Sequence, residues 1–91
     1  MELREDVSAL ANVPRFYFHL HNDMDVTDVE GIELPDLAAA RALAVQQARV
    51  TFAETAKETG RIVLHHRIDI ADEGGAILVS VKFGEAVKVE E

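Results

Sequence analysis

Two histidines and two aspartates stand close together near the start of the chain, in the stretch HLHNDMD from His19 to Asp25. Imidazole and carboxylate groups bind divalent metals and move protons. Histidines two residues apart on a strand point to the same side of a sheet, so His19 and His21 could share a metal with a third ligand such as His65. We interpret them as histidines on a solvated or interface face, because the strand order favoured below puts His65 two strands away. No metal site and no cofactor is therefore predicted.

The acidic segment 22–30 resembles the start of a calcium-binding loop. Such a loop needs glycine at its sixth position and glutamate at its twelfth, where the sharp turn and the bidentate ligand lie. Counted from Asp23, those positions hold Asp28 and Leu34. The segment is therefore predicted to be a solvated acidic turn.

Hydrolytic chemistry has one candidate combination, in which Ser80, His19 and Asp69 meet on a sheet face. No nucleophile elbow surrounds the serine, and no backbone oxyanion site is implied. Gly74-Gly75 lies between two predicted strands, whereas a phosphate-binding loop leads from a strand into a helix. We predict no catalytic residues and a protein that is not an enzyme.

The charge balance argues against polyanionic partners. The 91 residues include 9 Lys+Arg and 17 Asp+Glu, a net charge of −8, which repels nucleic acid at long range. Cysteine is absent, which excludes disulfides and thiol catalysis and fits a reducing cytosol. No signal peptide and no apolar run of membrane-spanning length is found, so a cytoplasmic protein without membrane contact is expected.

The elements follow the order strand, helix, hairpin. The aromatic, alternating run Arg15–His21 predicts a strand, and Ile32–Leu34 adds a short extended segment. An alanine-rich helix is predicted between an N-cap at Asp36 and a C-terminal Gly60. A hairpin is predicted from strands at Ile62–Ala71 and Ala76–Phe83 around the turn Asp72–Gly75. Residues 1–13 are interpreted as a flexible leader, and residues 14–91 as a single domain.

The alternation of these elements predicts which side chains form the core. The helix presents a stripe of mostly small residues to the sheet, whereas Leu43 and Val50 lie roughly opposite, as edge packing or a second contact surface. The predicted core residues are Phe16, Phe18, Leu20, Leu37, Ala40, Ala44, Ala48, Phe52, Leu64, His66, Ile68, Ile70, Ile77, Val79, Val81 and Phe83.

The predicted fold class is α+β, a three-stranded antiparallel sheet with one long helix packed on one face. We favour the strand order 1-3-2, with the first strand antiparallel to the third. The alternative places the first strand beside the second, in a parallel pair.

Two motifs, PRFYFHLHND and the segment DVEGIELPDL that precedes the alanine-rich helix, resemble a family of short bacterial proteins of unknown function. The family features are an aromatic strand ending in histidine, an acid–Gly–Glu–Leu–x–Asp segment and a terminal β-hairpin. They correspond here to Arg15–His19, Asp28–Asp36 and Arg61–Phe83. The resemblance supports the predicted fold and a bacterial cytosol, and it implies no activity.

The function predicted from the sequence is a protein-interaction module or homodimer, which binds itself or another protein. Leu78 is a large apolar residue on a strand face that is otherwise polar, and tyrosine is enriched at interface cores. One alternative is a small nucleic-acid-binding regulator, and another is a metal-dependent enzyme or metal sensor that uses His19 and His21. The predicted interaction face consists of Tyr17, His19, His21, Arg67, Leu78, Ser80 and Lys82.

Overall fold

The computed structural model describes residues 13–90 and confirms the α+β class. The predicted leader, residues 1–13, lies outside the described residues except for Val13. The elements in chain order are β1 (Arg15–His21), β2 (Asp25–Val26), β3 (Ile32–Glu33), α1 (Leu37–Thr59), β4 (Arg67–Ala71), β5 (Ile77–Lys82) and the short α2 (Phe83–Ala86).

The long helix α1 begins and ends where its sequence predicts. The Asp36 carboxylate accepts a hydrogen bond from the Ala39 amide at 2.8 Å, which satisfies one of the free donors of the first turn. At the other end Gly60 adopts a left-handed φ of 73°, and its amide donates to the Ala56 carbonyl. The 23 residues between these caps span about 34 Å at the helical rise.

The sheet has five strands instead of the predicted three, and every pairing is antiparallel. Its order is β2-β1-β4-β5, and β3 also pairs with β1. Predicted strands 1, 2 and 3 correspond to β1, β4 and β5. The predicted order 1-3-2 is therefore wrong, because β4 lies between β1 and β5. The alternative order had the right neighbours but the wrong direction, since β1 and β4 are antiparallel.

The segment between β1 and α1 explains this direction. Residues 22–36 turn back along β1, and β3 sets Ile32 opposite Phe16. The Leu34 amide then donates to the Pro14 carbonyl, so α1 starts near the beginning of β1. The helix carries the chain to the other end of β1, where β4 begins with Arg67 opposite His21. A direct crossover from β1 would have produced a parallel pair, whereas this return makes the pair antiparallel.

The hairpin is shorter than predicted at both outer ends. The turn is confirmed, because Asp72 accepts from the amides of Gly74 and Ala76. Residues 61–66 are not part of β4, since the carbonyls of Leu64 and His66 accept from the first amides of α2. A register shift next to Ile70 leaves Leu78 without a residue directly opposite on β4.

The core lies between α1 and the inner face of the sheet, mostly with the predicted residues. Three alanines of α1, Ala40, Ala44 and Ala48, are fully buried and let the helix approach the sheet closely. Leu64 and Ile77 are exceptions, 43% and 51% exposed, because one precedes β4 and the other lies at the register shift. Leu37 is also exposed, in the first turn of α1. The remaining buried apolar residues are Phe16, Phe18, Ile68, Ile70, Ala71, Val81, Phe83 and Ala86, with Leu20, Phe52 and Val79 partly buried against them.

The close contact of α1 with the sheet makes a stability prediction. Ala44→Leu should overpack the fully buried contact and lower the free energy of unfolding by about 1 to 3 kcal/mol. Ala42→Leu, at an exposed position of the same helix, is the control and should change it by less than about 0.5 kcal/mol. Urea denaturation followed by circular dichroism measures both variants, and equal effects would contradict the assigned helix orientation.

Candidate functional site

The outer face of the sheet, opposite α1, brings the predicted interaction residues together. The strand registers set His19 opposite Asp69, which faces Ser80, and His21 opposite Arg67, which faces Lys82. Tyr17 and Leu78 lie toward the hairpin-turn end, Tyr17 opposite Ala71 and Leu78 at the register shift. The registers place these side chains near one another, and their role as an interaction face stays a prediction.

Asp69 is the centre of this face and is 7% exposed. Its Oδ1 accepts from the Ser80 hydroxyl at 2.6 Å and from Arg67 Nε at 3.0 Å. Its Oδ2 lies 3.1 Å from His21 Nε2. Three neighbouring side chains thus satisfy one buried carboxylate, as a charge removed from water requires.

The electrostatics of Asp69 follow from these contacts. Burial raises its pKa, but the Ser80 hydrogen bond and the hydrogen bond and positive charge of Arg67 outweigh burial, so the pKa lies below its usual value. The carboxylate therefore stays ionised at neutral pH. Its stabilising effect is present above the pKa of the unfolded chain and is lost as pH falls through the folded pKa.

His21 is held between two carboxylates. Its Nε2 faces Asp69, and its Nδ1 lies 3.0 Å from Asp25 Oδ1. The ring nitrogens are therefore engaged within the domain.

The arrangement of Ser80, Asp69 and His21 differs from a nucleophilic triad in its order. In such a triad the histidine lies between serine and aspartate and accepts the hydroxyl proton. Here the aspartate lies in the middle, and the Ser80 hydroxyl donates directly to its carboxylate. His19, the histidine of the predicted combination, instead accepts from the Asp28 amide through Nδ1 at 3.1 Å. The Ser80 hydroxyl therefore has a carboxylate, and not a histidine, as its hydrogen-bond acceptor.

Asp28 fastens the returning segment to β1, and we call this set of contacts the Asp28 clasp. Its carboxylate accepts from the backbone amides of Phe18, Glu30 and Gly31 at 3.0 to 3.1 Å. Burial raises the pKa of Asp28, but these three donors outweigh burial and place the pKa below its usual value. The predicted solvated acidic turn is thus an ordered structural element at this residue.

Gly31 completes the clasp because nothing larger fits there. Its φ is 69°, in the left-handed region that favours glycine. A Cβ at this position would lie 2.9 Å from the Phe16 carbonyl oxygen and 2.8 Å from Arg15 Cγ. The acidic residue and the glycine of the segment DVEGIELPD therefore have structural roles that the sequence reading did not assign.

The histidines do not converge on a metal site. His65 lies outside β4, where its ring packs edge-on against His66 at a centroid distance of 5.2 Å. Within residues 13–90 no group of three metal-binding side chains has suitable geometry. Sharing of one metal by His19, His21 and His65 is not supported, even with β1 and β4 adjacent.

A second surface lies on the helix side of the sheet and was only partly foreseen. Helix α1 packs over β4 and β5, which leaves beside β1 a groove of 380 Å³. Val26 and Ile32 lie in a neighbouring cavity, which shares Phe18 and Gln47 with the groove and is also lined by Asp28 and Glu30. Leu43 and Val50, noted from the helix pattern, form part of the wall of the groove. The groove is lined by Phe18, Leu20, Leu43, Gln46, Gln47, Val50, Thr51 and Ile68.

The groove has no charged lining residue. Val50 is 54% exposed although it is apolar, and Leu43, Leu20 and Gln47 are half-buried. The sequence signal for this surface was the seven-residue spacing of Leu43 and Val50, which is typical of a helix that packs against another helix. The floor could not be foreseen, because it depends on where α1 crosses the sheet.

Comparison with known families gives an assignment without an activity. The chain belongs to the DUF6894 family, a domain of unknown function, whose profile matches residues 15–84. No curated protein and no solved structure shows significant similarity to the chain. No helix in residues 13–90 has the length and apolar character needed to cross a membrane.

The Asp28 clasp predicts a pH-dependent stability. Asp28→Asn replaces an oxygen acceptor with a donor and should lower the free energy of unfolding at pH 7 by about 1 to 3 kcal/mol. Because the folded pKa of Asp28 is lowered, the difference from wild type should shrink below about pH 4, where the unfolded chain becomes protonated. Glu73→Gln, in the exposed hairpin turn, is the control. A deficit at pH 3 as large as at pH 7 would contradict this role of the carboxylate.

A zinc titration tests how the outer-face histidines are engaged. Since both nitrogens of His21 face carboxylates and His19 Nδ1 accepts from Asp28, isothermal titration of the untagged protein with Zn²⁺ should give only weak, non-stoichiometric heat. A one-to-one site tighter than about 1 μM, roughly −8 kcal/mol, would contradict this prediction. His21→Ala in the same titration would then show whether the site uses that ring.

Proposed function

We propose that this domain is a non-enzymatic protein-interaction module that associates with a second copy of itself through the groove between α1 and β1. The observation that carries the proposal is the open, uncharged groove, which has apolar strand residues in its floor and Leu43 and Val50 among the residues of its helix wall. In a chain with 29% charged residues, a lining without charge is unusual. Burying such a surface in a partner is favourable by roughly 25 cal/mol per Å² of apolar area.

A second copy is the occupant that the helix wall favours. Leu43 and Val50 are one heptad apart, and Gln46 and Gln47 lie between them on the same side of α1. An identical helix presents the same apolar and amide groups, and a two-fold interface is built from one patch facing itself. Contact between two copies along this wall would cover both grooves.

The outer face of the sheet is a weaker candidate for the interface than the groove. Its histidine, arginine and serine side chains already surround Asp69 within the domain. A nucleic-acid partner would need the positive charge of Arg67, yet the Arg67 guanidinium is already paired with the Asp69 carboxylate. Leu78 remains as an exposed apolar residue on this face and provides the matched comparison for the groove.

Light scattering of two variants tests the proposal. Wild-type protein at hundreds of micromolar should have a mass near twice 10.0 kDa. Val50→Glu should be a monomer, because it places a charge against the apolar groove, and its circular dichroism should match wild type. Leu78→Glu, at a position 43% exposed on the outer face, should stay dimeric.

Two results would overturn this assignment. A wild type that stays monomeric at these concentrations would exclude self-association as the function. A monomer for Leu78→Glu together with a dimer for Val50→Glu would move the interface to the outer face around Tyr17 and Leu78.

A further inference from the structure

We infer that the two α1 helices of the dimer pack antiparallel about a two-fold axis that passes between Gln46 and Gln47. The inference rests on the proposed self-association and specifies its geometry. It is drawn from the order of side chains along the exposed side of α1, which is complementary to itself when reversed.

Four positions define this stripe, each seven residues from the next: Asp36, the N-cap, then Leu43, Val50 and Lys57. Residues at this spacing lie on one side of a helix and form the seam of paired helices. None of the four side chains is buried within the domain. The stripe therefore has Asp36 at one end, an apolar middle and Lys57 at the other end, where the exposed Glu54 and Glu58 lie beside the lysine.

Reversal of the stripe pairs unlike ends. About an axis between Gln46 and Gln47, Leu43 faces Val50 of the partner subunit, and Asp36 faces Lys57 of the partner subunit. The apolar contact and the opposite charges each occur twice, once on each side of the axis. In a parallel pair, Asp36 would face Asp36 and Lys57 would face Lys57, and like charges in contact are unfavourable.

The residues near the axis fit close contact. Gln46 lies opposite Gln47 of the partner subunit, and each amide has both donors and acceptors, so the two can hydrogen-bond to each other. Ala39 and Ala53 stand one heptad to either side of Gln46. Side chains this small let the two helix backbones approach without obstruction.

The absence of cysteine makes disulfide trapping a clean test. Leu43→Cys and Val50→Cys, made as separate proteins of distinguishable mass, are mixed under reducing conditions and then oxidised. The antiparallel pair predicts that the crosslinked product joins one Leu43→Cys chain to one Val50→Cys chain. Each variant alone should crosslink poorly, because its two cysteines lie about 10 Å apart along the helix axis. Leu78→Cys, on the outer face, is the control and should not crosslink with either.

Light scattering of the same reduced samples separates the two claims. A dimer that gives the mixed crosslink supports the antiparallel geometry. A dimer that crosslinks Leu43→Cys to itself and Val50→Cys to itself has parallel helices, and a dimer with no crosslink at these positions pairs elsewhere. Either result overturns the inference and leaves self-association standing. Wild-type protein that is monomeric at hundreds of micromolar would instead overturn the proposed function.

Discussion

The attachment of residues 22–36 to β1 is the constraint on which the rest of the fold depends. Three backbone amides converge on the Asp28 carboxylate, and Gly31 fits against β1 where a side chain would collide. Because this segment returns the chain to the start of β1, α1 and then β4 can run only in the observed directions. A set of short polar contacts in a loop thus determines that β4 runs antiparallel to β1.

The two faces of that sheet have opposite characters. On the outer face, a single buried carboxylate, Asp69, gathers the neighbouring polar groups, so that hydrogen bonds within the domain satisfy them. On the inner face, α1 covers β4 and β5 and leaves the groove beside β1 open. The groove beside α1 is therefore the surface that we propose for self-association, whereas the polar side chains around Asp69 already bond to one another within the domain.

Local signals predicted the elements better than their arrangement. The caps at Asp36 and Gly60, the buried alanine stripe and the hairpin turn were all correct, because each depends on a few neighbouring residues. The strand order was wrong, because it depends on the clasp. Segment 22–30 has four acidic residues, and its sequence does not indicate that Asp28 is the one whose carboxylate meets three amides. Alternation predicted which residues share the outer face, but the contacts of Ser80, Arg67 and His21 with Asp69 depend on strand registers that alternation alone does not determine.

The claim that the groove beside α1 is the self-association surface is tested most directly by nuclear magnetic resonance of ¹⁵N-labelled protein over a dilution series. For a Kd near 100 μM, dilution from about 1 mM to about 10 μM changes the protein from mostly dimeric to mostly monomeric. The account predicts concentration-dependent amide shifts at Leu20, Leu43, Gln47 and Val50, with Ser80 and Lys82 unchanged. Shifts confined to the outer face, or none across the series, would contradict it.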